Sequence, residues 1–245
     1  MGTRAARPGW CAELADLIWP ATCPGCGATG AGAAPACPGC LAAFSTPAYR
    51  TVPIPRPACL PAVWAVADYQ GSAREVLVAY KEHGRRRLAG PLGAALAAGL
   101  SAALEAAGGL PPACAASCVV VPMPSSAAAR RSRGDDPTRR LASAAVRRLR
   151  AGGVPAQLLP ALRQLPGVVD QAGLSAEARL RNLTGMLQVR PAAMPPLRAA
   201  AAVLLADDIV TTGATLAEAT RVLQAGNCAV TGAAVVAATR RRAAP

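Results

Sequence analysis

The sequence predicts an α/β fold: a mainly parallel β-sheet with helices on both faces, preceded by a small metal-binding segment. Two observations predict it. From residue 62 onward, apolar strand-like runs alternate with helical patterns, which is typical of βαβ units. Nearer the N-terminus, cysteines form two CxxC pairs with the spacing of a structural zinc site.

The strongest strand signal is residues 201–206, which are apolar without alternation. A central parallel strand buried on both faces has this pattern. The remaining patterns alternate between the two kinds of element, so we expect parallel strands joined by crossover helices. Further strands are predicted at 62–69, 119–121, 186–189 and 229–238, and helices at 72–81, 88–106, 137–150, 174–183 and 215–225.

The zinc prediction rests on two Cys-Pro-Gly-Cys segments that are separated by ten residues. Each glycine is expected to let its loop turn tightly around the metal, as in a zinc-ribbon knuckle. A single CxxC pair is also typical of redox sites, but two pairs favour structural zinc. Four thiolates leave no open coordination position, so we assign this zinc no catalysis. The predicted ligands are Cys23, Cys26, Cys37 and Cys40, and the other cysteines are predicted to be buried small hydrophobes (Cys11, Cys59, Cys114, Cys118 and Cys228).

Composition suggests three parts of the chain. Residues 1–46 form the zinc-ribbon region, the proline-rich residues 47–61 an extended linker, and residues 62–245 the main domain. No stretch is apolar and uninterrupted enough to predict a membrane-spanning helix, and Glu13 and Asp16 interrupt the short apolar run that a signal peptide would need. We therefore expect no membrane insertion and a cytoplasmic location.

The formal net charge of +13 favours polyanionic partners, although a solvated basic face would have the same composition. Nearly every cation is arginine, and the only lysine, Lys81, stands two residues from the only histidine, His83. A mobile ammonium differs from a planar guanidinium, so a sole lysine suggests a position that arginine would not serve.

Two acidic residues and a polar loop follow the strongest strand. Asp207 and Asp208 are placed at its carboxyl end, where open α/β sheets bind ligands and where paired carboxylates can accept bonds from ribose hydroxyls. The next residues offer hydroxyls, small side chains and the N-terminus of a helix to a phosphate group. Thr215 with Glu218 also fits a capping box, so Thr215 has two potential roles. The candidate phosphate loop comprises Thr211, Thr212, Gly213, Ala214 and Thr215.

Residues 203–215 resemble the motif with which type I phosphoribosyltransferases bind 5-phosphoribosyl-1-pyrophosphate (PRPP). The resemblance implies a type I phosphoribosyltransferase-like sheet, with Asp207 and Asp208 on the ribose hydroxyls and residues 211–215 around the 5-phosphate. In that family the pyrophosphate is carried with magnesium, and a base or amine displaces it at the anomeric carbon.

Three further segments resemble the competence protein F (ComF) family, whose members join an N-terminal zinc ribbon to such a domain. They are residues 80–84, residues 121–134 and residues 171–185, the last including Arg179 and Asn182. These matches give Lys81, Arg131 and Arg133 a role in stabilising the leaving pyrophosphate. The sequence departs from the family at residues 134–137, where Gly-Asp-Asp-Pro replaces Gly-Phe-Asn-Gln and leaves the acceptor open.

Two functions remain open at this point. The first is magnesium-dependent transfer of phosphoribose from PRPP to an unknown acceptor in DNA uptake or DNA metabolism. The second is a non-catalytic, PRPP-sensing adaptor that contacts single-stranded DNA or a helicase-like protein. The resemblance implies a role in natural transformation for either function, while the few aromatic residues weaken autonomous single-strand binding.

Overall fold

The computed structural model describes residues 22–29, 34–110, 117–125, 136–165 and 185–239. Within these ranges, the structure contains both strands and helices. In chain order they are α1 (Pro38–Ala42), β1 (Tyr49–Thr51), β2 (Val63–Ala65), β3 (Ala67–Asp68), α2 (Gly71–Lys81), α3 (Ala89–Ala106), β4 (Cys118–Pro122), α4 (Pro137–Ala151), β5 (Ala156–Leu158), β6 (Leu162–Gln164), β7 (Leu187–Val189), α5 (Met194–Ala199), β8 (Ala202–Val210), α6 (Ala214–Ala225) and β9 (Gly232–Ala238).

The main sheet has the strand order β1-β2-β9-β8-β4-β5, and β3 extends the edge of β9 beyond β2. Every pair in it is parallel except β1 with β2. Strands β6 and β7 form a separate antiparallel pair. The predicted mainly parallel α/β fold is therefore confirmed.

Two apolar layers cover the main sheet. One contains side chains of α2, α3 and α4, and the other contains side chains of α5, α6 and the β6-β7 pair. Among the described residues, the segment Arg86–Ala106 is long and apolar enough to cross a membrane by length and composition. Its leucines Leu88, Leu92, Leu96 and Leu100 have no exposed surface, because they form the core of the first layer.

The chain reverses its winding direction between β4 and β8. Helix α4 connects β4 to β5 across one face of the sheet, whereas α6 connects β8 to β9 across the other. Because adjacent strands β4 and β8 lead to helices on opposite faces, a crevice lies at their carboxyl ends. Open α/β sheets bind ligands at such a switch point.

Three strands were not predicted from the sequence. Strand β1 lies within residues 47–61, which were predicted to be an extended linker, and it pairs with β2 at the edge of the sheet. Strands β5 and β6, of three residues each, were also not predicted. The predicted strand at 62–69 is found as β2 and β3, and the predicted helix at 174–183 lies outside the described residues. The division of the chain into three parts stays a prediction.

Candidate functional site

The acid pair, Asp207 and Asp208, lies inside β8 and not after it as the sequence suggested. The ladder between β4 and β8 ends where Pro122 lies opposite Ala206. From Asp207 to Val210, β8 continues beside β9 alone. The acid pair is therefore just beyond the end of β4, at the switch point.

The carboxylates of the acid pair bond to the backbone of β8 itself. The amide of Asp208 donates to Oδ1 of Asp207, and the amide of Ile209 donates to Oδ1 of Asp208, each at 2.9 Å. Asp208 is buried and Asp207 is half-buried. These bonds fix both carboxyl groups while leaving one oxygen of each for another partner.

Lys81, the last residue of α2, joins the acid pair. Its Nζ lies 2.7 Å from Oδ2 of Asp208. Burial alone would lower the pKa of Lys81, but the carboxylates of Asp208 and Asp207 outweigh it and raise that pKa. The only lysine of the chain is thus held charged beside two acids that are 126 and 127 positions away in sequence.

The two acids differ in their surroundings. Burial, reinforced by the charge of Asp208, raises the pKa of Asp207 well above its usual range. Only Lys81 and the amide of Asp208 act in the opposite direction. Asp207 therefore holds a proton at a higher pH than an ordinary aspartate, and a protonated carboxyl can donate as well as accept a hydrogen bond.

The candidate phosphate loop continues into α6, which begins directly after Gly213. Gly213 has a φ of +73°, which favours glycine, and it starts the helix without a side-chain cap. The first amides of α6 have no partner within the helix and point into this loop. Thr211 is exposed, Thr212 and Thr215 are half-buried, and Thr212 Oγ1 accepts a long bond from the amide of Ala214 at 3.4 Å.

The predicted capping box at Thr215 and Glu218 is wrong. Helix α6 begins at Ala214, so Thr215 is already inside its first turn. Glu218 is buried and its carboxylate instead accepts the amide of Gly185 at 2.8 Å and both bonds from the guanidinium of Arg221. Among the described residues, the Thr215 hydroxyl has no hydrogen-bond partner, which leaves it available to a ligand.

The proline-rich segment forms a wall of the loop, a contact that the sequence did not predict. A Cβ atom at Gly213 would lie 3.0 Å from Cδ1 of Leu60 and 3.2 Å from Cγ of Pro53. Leu60 is buried in the same apolar layer as α6. No local pattern marks this contact, because it joins residues that are more than 150 positions apart.

The four predicted zinc ligands, Cys23, Cys26, Cys37 and Cys40, converge. Their sulfur atoms all lie within 4.8 Å of one another, and the Sγ atoms of Cys26 and Cys37 are 3.7 Å apart. Sulfurs bound at about 2.3 Å to one tetrahedral zinc are about 3.8 Å apart. The amides of Gly25 and Cys37 donate to Sγ of Cys23 at 3.4 and 3.3 Å, as amides do to thiolates. The donor set therefore fits a structural zinc ion.

The two Cys-Pro-Gly-Cys segments differ in conformation. The first is a turn in which a Cβ atom at Gly25 would lie 2.7 Å from Sγ of Cys40, so glycine is required there. The second begins α1, with Cys37 at the N-cap and Gly39 facing open space, so the predicted tight loop is wrong for that pair. Cys23, Cys40 and Phe44 share the apolar layer of Val76 on α2, so the cysteine cluster supports the helix that carries Lys81.

Two of the residues at 134–137, where the sequence departs from the family it resembles, have a structural role. Asp136 is the N-cap of α4 and accepts the amide of Arg139 at 3.0 Å, and Pro137 is the first helical residue. Ser125 also donates to Asp136 at 3.0 Å. The remaining predicted residues lie outside the described ranges: Arg131, Arg133, Arg179 and Asn182, with residues 126–135 and 166–184 as a whole.

Comparison with protein families identifies one part of the chain. Residues 140–245 match the family model described as the phosphoribosyl transferase domain. No curated protein matches the chain. The matched range contains the acid pair, the phosphate loop and α6, whereas Lys81 and the cysteine cluster precede it. The C-terminal part of this α/β chain is thus similar to a phosphoribosyl transferase domain, and that similarity implies PRPP binding.

Proposed function

We propose that the chain binds PRPP at the acid pair and the phosphate loop, and that it transfers the phosphoribosyl group to an acceptor. The observation that carries this proposal is the 2.7 Å contact between Lys81 and Asp208 at the switch point. It joins the only lysine to an acid pair that is followed by the phosphate loop and α6. The match of residues 140–245 supports the same ligand.

In this proposal each part of PRPP has its own site. Asp207 and Asp208 hold the two ribose hydroxyls, which donate hydrogen bonds to their carboxylate oxygens. Residues 211–215 and the first amides of α6 hold the 5-phosphate, since a helix N-terminus favours an anion. Binding at both ends fixes the orientation of the anomeric carbon between them.

The reaction replaces one bond at the anomeric carbon by another. The bond from this carbon to the pyrophosphate oxygen breaks, and its electron pair leaves with the pyrophosphate. The acceptor forms the new bond and loses its proton to solvent. Positive charge near the leaving group lowers the barrier, and we assign this role to Lys81, Arg131 and Arg133.

Magnesium fits the donor set at this site, because carboxylate and phosphate oxygens are the ligands it prefers. Asp207 and Asp208 would hold it together with PRPP, and it would neutralise the pyrophosphate charge. The protein groups perform the other tasks, which are to hold the ribose and the 5-phosphate and to fix their orientation.

The test is a thermal-shift titration with PRPP, with and without magnesium, followed by an assay of pyrophosphate release with candidate bases and single-stranded DNA. We expect saturable stabilisation that the double variant Asp207→Asn, Asp208→Asn loses. Undiminished stabilisation of the double variant would contradict the ribose assignment. Binding without release in any assay would favour the adaptor function over transfer.

A second candidate function, a PRPP-sensing adaptor on DNA, is favoured by the charge of α4. Arg140, Arg147 and Arg150 follow one side of this helix, and Arg147 and Arg150 are exposed. Such a row suits a phosphate backbone. We propose single-stranded DNA or a helicase-like protein of DNA uptake as partner, a cytoplasmic location, and membership of the ComF family for this chain.

The DNA proposal is tested by fluorescence anisotropy with labelled single-stranded DNA over a range of salt concentrations. Phosphate contacts predict that affinity falls steeply as salt rises. In a plot of log affinity against log salt concentration, the double variant Arg147→Ala, Arg150→Ala should reduce the steepness of the slope by about 1 to 2. An unchanged slope in the double variant would show that α4 does not contact the phosphate backbone of the DNA.

A further inference from the structure

The segment that carries the cysteine cluster contacts the chain on both sides of Lys81, although its last cysteine precedes Lys81 by 41 positions. Before Lys81, Cγ2 of Val76 lies 3.0 Å from the position that a Cβ atom on Gly25 would take. After Lys81, the guanidinium of Arg85 donates to the carbonyl of Thr22 at 3.5 Å. The lysine therefore lies between two contacts with the cysteine segment.

Helix α2, which ends at Lys81, has two supports. The hydroxyl of Tyr80 donates to the carbonyl of Pro137 at 2.7 Å, and this buried bond ties α2 to the start of α4. Helix α2 also contacts α1, the short helix that contains Cys40. Val76 has no exposed surface and belongs to the same apolar layer as Cys40. The cysteine cluster is thus one of the two structures against which α2 is packed.

The support from α1 depends on the cysteine cluster itself. Helix α1 has five residues, and a helix of this length is not stable in water by itself. Cys37 is its N-cap and Cys40 lies inside it, so the cluster sets the position of the helix. In a structural zinc site, metal binding contributes to the folding of the segment that carries the ligands. The surface that packs against Val76 is therefore held in place by the four sulfurs.

We propose that Val76 is a positioning residue for Lys81, and that it transmits the packing of the cysteine cluster to the ion pair between Lys81 and Asp208. The part of Lys81 in the reaction rests on the proposed function, whereas its position beside Asp208 does not. A shift of the last turn of α2 by about 1 Å would lengthen the 2.7 Å contact beyond hydrogen-bond range. The cluster offers a substrate no open coordination position, so it acts on the crevice only through α2.

The rate at which Lys81 is labelled tests this proposal, because Lys81 is the only lysine of the chain. An ammonium in an ion pair reacts slowly with acetic anhydride, since it must first lose its proton. Mass spectrometry of the peptide that contains Lys81 gives this rate for the zinc-loaded protein without magnesium. Val76→Ala should be labelled about tenfold faster than the wild type, with about one zinc still bound per chain.

Three further variants separate positioning from a general loss of stability. Val146→Ala makes the same change at a buried residue of the same apolar layer, in α4, and Val78→Ala makes it at a half-buried residue of α2 outside both layers. Both should be labelled at the wild-type rate, as should Val76→Thr, which keeps the branched shape of the side chain. Labelling of Val76→Ala at the wild-type rate, or equally fast labelling of Val146→Ala, would overturn the proposal.

Removal of zinc with a chelator, below the melting temperature of the zinc-free protein, tests the part of the cluster. It should speed the labelling of the wild type and have little further effect on Val76→Ala, in which the contact is already lost. An equal increase in both proteins would show that Val76 does not transmit the packing of the cluster.

Calorimetric titration separates this inference from the proposed function. With magnesium present, Val76→Ala should bind PRPP several-fold more weakly than the wild type and ribose 5-phosphate equally well, since ribose 5-phosphate lacks the leaving group. Wild-type protein that binds neither ligand, while Val76→Ala is still labelled faster, would retain the positioning role of Val76 and remove the proposed function.

Discussion

Lys81 Nζ and Asp208 Oδ2 are 2.7 Å apart and join the end of α2 to the strand that bears the acid pair. Asp207 lies next to this contact, and the charge of Lys81 lowers the pKa of that acid while burial and Asp208 raise it. One ammonium thus compensates two carboxylates at the crevice between β4 and β8. Each group is expected to change the behaviour of the others.

Lys81→Met should reduce phosphoribosyl transfer about 100-fold, because it removes positive charge from the site where the leaving group departs. The conservative variant Lys81→Arg keeps the charge but not the compact ammonium, so we expect it to recover only part of the activity. Pyrophosphate release measures both. Equal activity of the methionine variant and the wild type would show that Lys81 only neutralises the acid pair.

Asp207→Asn should stabilise the protein while abolishing PRPP binding. The pKa of Asp207 is raised on folding, so ionising this acid costs more in the folded state than in the unfolded state. The free energy of unfolding is therefore lowered at pH values above the unfolded pKa of about 3.9, and this loss of stability grows until the pH reaches the folded pKa. Asparagine removes the loss and keeps an oxygen for the amide of Asp208. Melting temperatures should exceed the wild type by about 2–4 °C at pH 7 and converge near pH 4. A melting temperature of the variant below that of the wild type at pH 7 would contradict a raised pKa of Asp207.

Gly213→Ala should destabilise the protein by about 1–3 kcal/mol and abolish binding of ribose 5-phosphate. The change forces alanine to a φ of +73° and places its Cβ against Leu60 and Pro53. Gly153→Ala is the control, because Gly153 has a φ of +83° with nothing near its Cβ position. Denaturant unfolding should show a smaller loss for Gly153→Ala, with ligand binding intact. Equal losses of stability in the two variants would mean that the contacts of Gly213 with Leu60 and Pro53 do not shape the phosphate loop.

Metal analysis should find about one zinc per chain, and a chelator should lower the melting temperature. The two glycines of the CxxC pairs provide a matched test that keeps all four ligands. Gly25→Ala should weaken zinc retention, since its Cβ would collide with Cys40 and approach Val76 at 3.0 Å. Gly39→Ala should have no such effect, because it faces open space in α1. A metal-free protein with an unchanged melting temperature would remove the zinc assignment.

The sequence predicted the parts of the fold whose signals are local and strong. Strand β8, helix α6 and the cysteine cluster each carry a pattern that needs no partner to be recognised. Lys81 was identified by its rarity and by resemblance, and the structure brings it to Asp208. The extension of β8 beyond β4 could not be predicted from the sequence. The pairing of two strands ends where the shorter strand ends, and no residue type in the longer strand marks that position.

The missed features depend on contacts between distant residues. Nothing at Tyr80 indicates that its hydroxyl bonds to Pro137, 57 positions away. Glu218 fitted a local capping rule, yet Gly185 and Arg221 offered its buried carboxylate better partners. Arg131 and Arg133 lie outside the described residues, so their assignment stays a prediction.

The strand order has a practical consequence for anyone who would isolate the matched range. Residues 140–245 contain β5, β8 and β9, but β4, which joins β5 to β8, and β2, which flanks β9, precede residue 140. A fragment of residues 140–245 alone would lack β4 and β2, so the strands β5, β8 and β9 would have unpaired edges exposed to water. We therefore expect that the range similar to a known family does not fold by itself, and expression trials should keep the N-terminal half attached.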